Sequence, residues 1–141
     1  MNRFALFQLP FVAISEVMKK FNLIDITMLS LCSQRTQRWI KSCRFNRDGL
    51  KLKVEINEGE RICLYNNNQK MEFNITSPPL RMLHLLKIGD SLVPTSIEKA
   101  DEYALVNMYF DDSIEGMKTV SDYLCSFFEI NINIIRLSSY T

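Results

Sequence analysis

Two hydrophobic periods divide the chain. Up to about residue 47 the apolar residues recur every three or four positions, and from Asp48-Gly49 to about Ile75 they alternate every second one, after which the two periods mix. In the first stretch Val12, Ala13, Val17 and Phe21, with Ile14 and Met18 beside them, predict a helix. Pro10 opens it, because a first-turn residue needs no N–H. Asn22 is expected to stop that helix. Asp25 then falls at the start of a short second helix, where its carboxylate can accept backbone N–H bonds, and Ile26, Leu29 and Cys32 follow at three-residue spacing. Ser33 is placed to cap a third helix reaching about Arg44, with Trp39, Ile40 and Cys43 on one face.

In the second stretch Leu50, Leu52, Val54 and Ile56 alternate with Lys51, Lys53 and Glu55, the period of a half-buried strand. Asn57-Glu58-Gly59 turns the chain, Ile62 and Leu64 continue the pattern, Asn66 to Gln69 turns it again, and Met71, Phe73 and Ile75 form a third strand. These turn signals predict an antiparallel meander that Ser77-Pro78-Pro79 breaks. Leu80 to Ile88 fits strand or helix. Ala104 to Phe110 reads as a strand, Met117, Val120, Leu124, Phe127 and Phe128 as a helical stripe, and Ile130, Ile132 and Ile134 as a further strand. The last three elements would demand a right-handed crossover if the two strands are parallel neighbours.

Composition changes the picture in one respect. With 141 residues, 47% hydrophobic and 11% aromatic, and only four Gly and four Pro, the chain is no disordered tail, collagen-like repeat or low-complexity linker. The net charge of +1 hides an asymmetry. Residues 1–53 carry ten Lys/Arg and three acids, whereas residues 54–141 carry seven and thirteen. A basic front half is joined to an acidic back half.

Most familiar site chemistries lack their residues. Cys32, Cys43, Cys63 and Cys125 contain no C-x-x-C pair, and His84 is the one histidine, so a structural zinc site has no ligands at the usual spacing. His84 sits in an apolar run, which argues against a catalytic triad. Single glycines at 49, 59, 89 and 116 make no phosphate-cradling loop, and Asp111-Asp112 and Glu58/Glu60 read as solvated turn residues. No enzyme, metal or cofactor is expected. No run of about 18 apolar residues exists to cross a membrane. The apolar stretch Phe4–Ile14 and the sequon Asn74-Ile75-Thr76 would suit secretion and two disulfides, but Gln8 and Pro10 interrupt the former. An intracellular protein with free thiols, cytoplasmic or nuclear, is the expectation.

The residues that carry information lie at the front: Leu9-Pro10 before the first helix, then Ile14, Val17 and Met18, then Ile24-Asp25-Ile26, Leu29 to Ser33, and Arg35. In this order and spacing, from about Phe4 to Ile40, they resemble an F-box, the motif that docks substrate receptors onto the Skp-type adaptor of cullin ubiquitin ligases. Leu9 and Pro10 would form a rigid apolar corner. Ile14, Val17, Met18, Phe21, Ile26, Leu29 and Cys32 would supply the adaptor-binding surface, each buried side chain contributing about 1.5–3 kcal/mol. The F-box commonly has Trp where this chain has Thr36, and Trp39 lies one turn on.

The back half resembles the nematode-expanded family in which a type-2 F-box-associated domain follows the F-box. The resemblance runs through Gly116, Tyr123 to Phe128 and Ile130 to Leu137. It implies a shortened or split member whose last strand is an exposed edge unless another segment covers it.

The expected fold is therefore α+β. A three-helix F-box-like unit over 1–47 precedes a β-rich α/β segment over 48–141, an antiparallel meander followed by strand–helix–strand. The expected function is that of a non-catalytic substrate receptor whose partners are the Skp-type adaptor, through it a cullin scaffold, and a target protein held by the acidic half. A helix-turn-helix nucleic-acid module is the competing reading, resting on Arg35, Arg38, Lys41 and Arg44 beside Trp39. Residues at three-residue steps drift around a helix by about 60° per step, however, and an acidic back half repels phosphate.

Overall fold

The computed structural model describes residues 13, 16–17, 19–42, 48–56, 59–76 and 84–137. Its elements are α1 (Leu23–Ser30), α2 (Gln34–Ser42), β1 (Lys51–Ile56), β2 (Glu60–Tyr65), β3 (Lys70–Thr76), β4 (His84–Ile88), β5 (Ser91–Lys99), β6 (Tyr103–Tyr109), α3 (Ser113–Phe128) and β7 (Ile134–Leu137). The expected first helix, opened by Pro10, falls largely outside the described residues.

The strands form one seven-stranded sheet in the order β4-β5-β6-β3-β2-β1-β7. The expected β1–β2–β3 meander forms, with Val54 opposite Ile62 and Ile62 opposite Phe73. A second antiparallel meander, β4–β5–β6, abuts it through a parallel pairing of β3 with β6, and β7 pairs parallel to β1. The sheet is thus mixed, where an antiparallel meander with a separate strand–helix–strand was expected. β6 and β7 run the same way, but β3, β2 and β1 lie between them. They are not the parallel neighbours that the crossover rule addresses.

One strand is added and one expectation is corrected. Pro94 and its polar neighbours break the alternation over β5, so periodicity names no strand there. The pairing of β5 with β6 begins at Thr95, so the missing N–H of Pro94 falls where only β4 flanks the strand. The expected last strand from Ile130 starts only at Ile134. Before it, Asn133 meets β1 by a different route: its backbone N–H donates to Leu52 O at 2.9 Å, and its side-chain Oδ1 accepts the Leu52 N–H at 3.0 Å. The described part of Leu80 to Ile88 is strand.

One face of the sheet is apolar and covered. Leu52 and Val54, Ile62 and Leu64, Met71, Phe73 and Ile75, and Ala104, Val106 and Met108 are all buried there, as period-two alternation requires. Helix α3 lies on β2, β3 and β4 and inserts Met117, Val120, Leu124, Phe127 and Phe128, with the Phe127 and Phe128 rings edge to face at 4.8 Å. Asp112 starts this helix, its carboxylate accepting the N–H groups of Ile114 and Glu115 at 3.0 and 3.3 Å. Asp112 is therefore a structural cap. The same core includes Leu23, Ile24, Ile26, Leu31 and Ile40, so the change of period near residue 48 interrupts the pattern of secondary structure and not the core.

Gly116 lets α3 approach the sheet closely. A Cβ placed there would lie 2.6 Å from the Phe110 ring and 2.7 Å from Ile75 Cγ2. Alanine favours a helix over glycine by about 1 kcal/mol, but here it must displace an aromatic ring and a β-branched side chain. Gly116→Ala is expected to destabilise the protein by about 1–3 kcal/mol, read as a lower urea midpoint at unchanged slope.

Candidate functional site

The helical hairpin α1–α2 carries the motif residues from Ile24 to Arg35, and polar groups at its ends fix where it sits. Asn22, expected to stop the preceding helix, instead caps α1: its Oδ1 accepts the Asp25 N–H at 2.9 Å. Asp25 is consequently the third residue of α1, and its carboxylate faces Lys99 Nζ at 3.2 Å instead of the helix N–H groups. Ser33 caps α2 as expected, Oγ accepting the Thr36 N–H at 3.0 Å and lying 2.8 Å from Thr36 Oγ1. A hydroxyl at position 36 thereby completes the cap.

Two side chains from the β-rich half hold the hairpin. The Gln69 amide accepts the Ile24 N–H at 2.9 Å, satisfying a first-turn donor of α1, and donates to Asp101 O at 3.1 Å. Tyr123 on α3 donates to Ser30 Oγ at 2.7 Å, at the far end of α1. Burial pushes the Tyr123 phenol up to about 12.

These contacts decide where the proposed adaptor-binding residues lie. Leu9, Pro10, Ile14 and Met18 fall outside the described residues. Val17 and Phe21 are half-buried and pack on the core. Ile26, Leu29 and Cys32 do not form one open row. Ile26 is only 3% exposed and points inward beside Leu23 and Phe128 around a small hollow of about 190 Å³. Leu29 is half-buried, and Cys32 is exposed with its thiol on Met28 O at 3.4 Å. The outward stripe of α1 reads Asp25, Met28, Leu29, Cys32, at spacings of three, four and seven. Met28 is the member that three-residue steps from Ile26 passed over. A helical wheel anchored on the one charged residue, Asp25, would have found it.

On α2, Thr36 and Ile40 are buried, Trp39 is half-buried, and Arg35, Arg38 and Lys41 are exposed. Cys32, Cys63 and Cys125 are free thiols, so two disulfides do not form. Burial raises the Cys63 and Cys125 thiols above their ordinary range, away from thiolate chemistry. His84 is exposed on β4. Among the described residues there is no group of three metal-ligating side chains and no helix long and apolar enough to cross a membrane. The sequon residue Asn74 lies within β3, its Nδ2 donating to Asn107 Oδ1 at 3.2 Å.

Comparison with known families finds an F-box domain at residues 6–48, a span containing the hairpin and the Leu9-Pro10 pair. No curated protein and no solved structure matches the chain. F-box domains bind Skp-type adaptors within cullin-based ubiquitin ligases and generally act as non-catalytic adaptors, so the domain points to a substrate-receptor role. The helix-turn-helix reading is not favoured, because its helices are those of the F-box.

The bonds that hold the hairpin are testable. Gln69→Leu strands a buried helix N–H and a carbonyl, and is expected to cost about 1–3 kcal/mol by chemical denaturation. Tyr123 gives a pH dependence. Its phenol ionises near 10 when unfolded but at about 12 when folded, so the stability it contributes is complete below pH 10 and is lost as pH rises toward 12. Tyr123→Phe is expected to be less stable at neutral pH and to show a shallower fall in melting temperature across that alkaline window.

Proposed function

We propose that this protein is the substrate-receptor subunit of a Skp–cullin–F-box ubiquitin ligase, working inside the cell. Its F-box docks the Skp-type adaptor, and its sheet holds a target for ubiquitination. The observation that carries the reading is the F-box domain at residues 6–48. On this reading the adaptor-binding residues are Leu9, Pro10, Ile14, Val17, Met18 and Phe21, together with the outward stripe of α1 ending at Leu29 and Cys32. Ile26 serves that surface from beneath: with Leu23 and Ile24 it seats α1 on the sheet. The β-rich half is read as a type-2 F-box-associated domain, a reading supported by the Gly116 to Leu137 pattern.

Co-purification of the full chain with a Skp-type adaptor tests this. The wild-type chain is expected to form a stoichiometric complex. Leu9→Ala with Pro10→Ala, and separately Cys32→Glu at an exposed position, are each expected to weaken it by roughly ten- to a hundredfold, the loss corresponding to one or two apolar side chains. Absence of a wild-type complex, or equal binding by both variants, would remove the reading.

A further inference from the structure

The register of the sheet sorts charge in a way that the acidic composition of the back half conceals. Side chains on the face away from the helices fall in cross-strand rows. One row runs Lys51–Tyr65–Lys70–Tyr103 across β1, β2, β3 and β6, and the next runs Lys53–Cys63–Glu72–Leu105. In the following row Glu55 lies opposite Arg61 and Arg136. The strand positions of this open face include Lys51, Lys53, Arg61, Lys70, Lys87 and Arg136 as cations, against Glu55, Glu72 and Glu98 as carboxylates. The acids that make the back half negative sit instead at strand ends and on α3, as Asp90, Asp101, Glu102, Asp111, Asp112 and Glu115 do.

The carboxylates on the open face are already engaged. Glu55 meets Lys53 Nζ at 2.8 Å and Arg61 Nε at 3.2 Å, while Glu72 lies 3.6 Å from Arg61 and accepts the Tyr103 hydroxyl at 3.3 Å. The Lys53 hydrogen bond, joined by the Arg61 and Arg136 charges, holds the Glu55 carboxyl below the ordinary carboxylate range. Lys51 and Lys70, at the edge of this network, make no ion pair among the described residues and are exposed. Between Lys53 and Lys70 the face dips into a depression of about 500 Å³, floored by Cys63 and Tyr65 and rimmed by the side chains of the Asn66–Gln69 turn. Glu102 is the one carboxylate on its lining.

We propose that this end of the open face, centred on Lys51, Tyr65 and Lys70, holds an extended acidic polypeptide segment. The proposal rests on the receptor reading only in calling that segment the target. Lys51 and Lys70 are two strands apart, about 10 Å, and an extended chain advances about 3.3 Å per residue. Carboxylates two to four residues apart therefore reach both ammonium groups. The exposed Asn67 and Asn68 of the turn offer amide groups to the intervening peptide, and the Tyr65 ring offers it an apolar floor. A basic segment would meet like charges, which directs the choice of partner.

The test uses the full chain and a fluorescein-labelled decapeptide of alternating glutamate and serine, read by anisotropy at 50 and 150 mM salt. The wild-type protein is expected to bind the peptide, more weakly at the higher salt, and to leave the matching lysine–serine peptide free. Lys51→Glu with Lys70→Glu is expected to weaken binding at least tenfold. Lys41→Glu with Lys118→Glu, the same charge change at exposed helical positions, should alter it less than twofold. A milder pair, Lys51→Ala with Lys70→Ala, guards against misfolding and should fall between. Equal losses in both charge-reversal pairs, or no binding by wild type, would overturn the proposal. So would tighter binding of a single-stranded oligonucleotide of equal charge through the same two lysines. Adaptor co-purification of the Lys51/Lys70 variants is expected to be unchanged, so failure of this inference and failure of the receptor reading give different results.

Discussion

Three segments distant in sequence meet at the side-chain amide of Gln69. It lies in the β2–β3 turn, takes the Ile24 N–H from the first turn of α1, and gives its own N–H to Asp101 O in the β5–β6 turn. The turn aims it: Asn66 Oδ1 accepts the backbone N–H groups of Asn68 and Gln69 at 2.9 and 2.8 Å, leaving the Gln69 side chain to reach inward. A buried amide with both ends satisfied specifies one arrangement, because any shift of helix or turn leaves a polar group unpaired in a low-dielectric interior. Tyr123 on Ser30 fixes a second point of α1, so the hairpin cannot rotate about a single contact, and the exposed Lys99–Asp25 pair adds a weak third. The apolar core beneath supplies most of the free energy, and these polar contacts set the position.

How much of this was legible in the sequence follows from what each signal encodes. Strict alternation at Leu52/Val54, Ile62/Leu64, Met71/Phe73/Ile75 and Ala104/Val106/Met108 reports one buried face, and the sheet has one. The α3 stripe was equally readable, because a helix crossing a flat apolar face needs its own apolar side at a 3.6 period. Pairing order was not readable. Nothing in the periodicity of Phe73 says that its strand must lie parallel to the one bearing Val106, since a two-residue period names a face and no partner. Helix α1, Leu-Ile-Asp-Ile-Thr-Met-Leu-Ser, is apolar nearly all round, so hydrophobic spacing alone does not separate Ile26, turned inward, from Met28 and Leu29, and only the position of Asp25 does. Gln69 carried no signal because a polar residue in a turn is ordinarily solvated.

The strand at the other edge shows what happens where the covering layer ends. Ile135 aligns with Val54 and Leu137 with Ile56, on the side of the sheet that helices cover elsewhere, yet they are 62% and 63% exposed. Two consecutive apolar rows therefore continue past the packed core onto a strand whose outer edge has no partner among the described residues. Such an edge is a template for another strand unless charge or cover blunts it, and Arg136 is the one charge within β7.

The placement of the layers bears on how a receptor of this kind would work. α1 and α3 pack on the apolar face of the sheet, α2 packs against α1, and the cationic rows lie on the other face. An adaptor seated on the outward stripe of α1 would approach from the helical side, with the sheet between it and any segment held at Lys51 and Lys70. The two partners would then neither compete for surface nor screen each other's charges. Their relative orientation would be set by the bonds at Gln69, Ser30 and Asp25, which tie the adaptor-facing helix to the strands and turns that carry the opposite face. In that arrangement the residues that matter most for presenting a target touch neither partner.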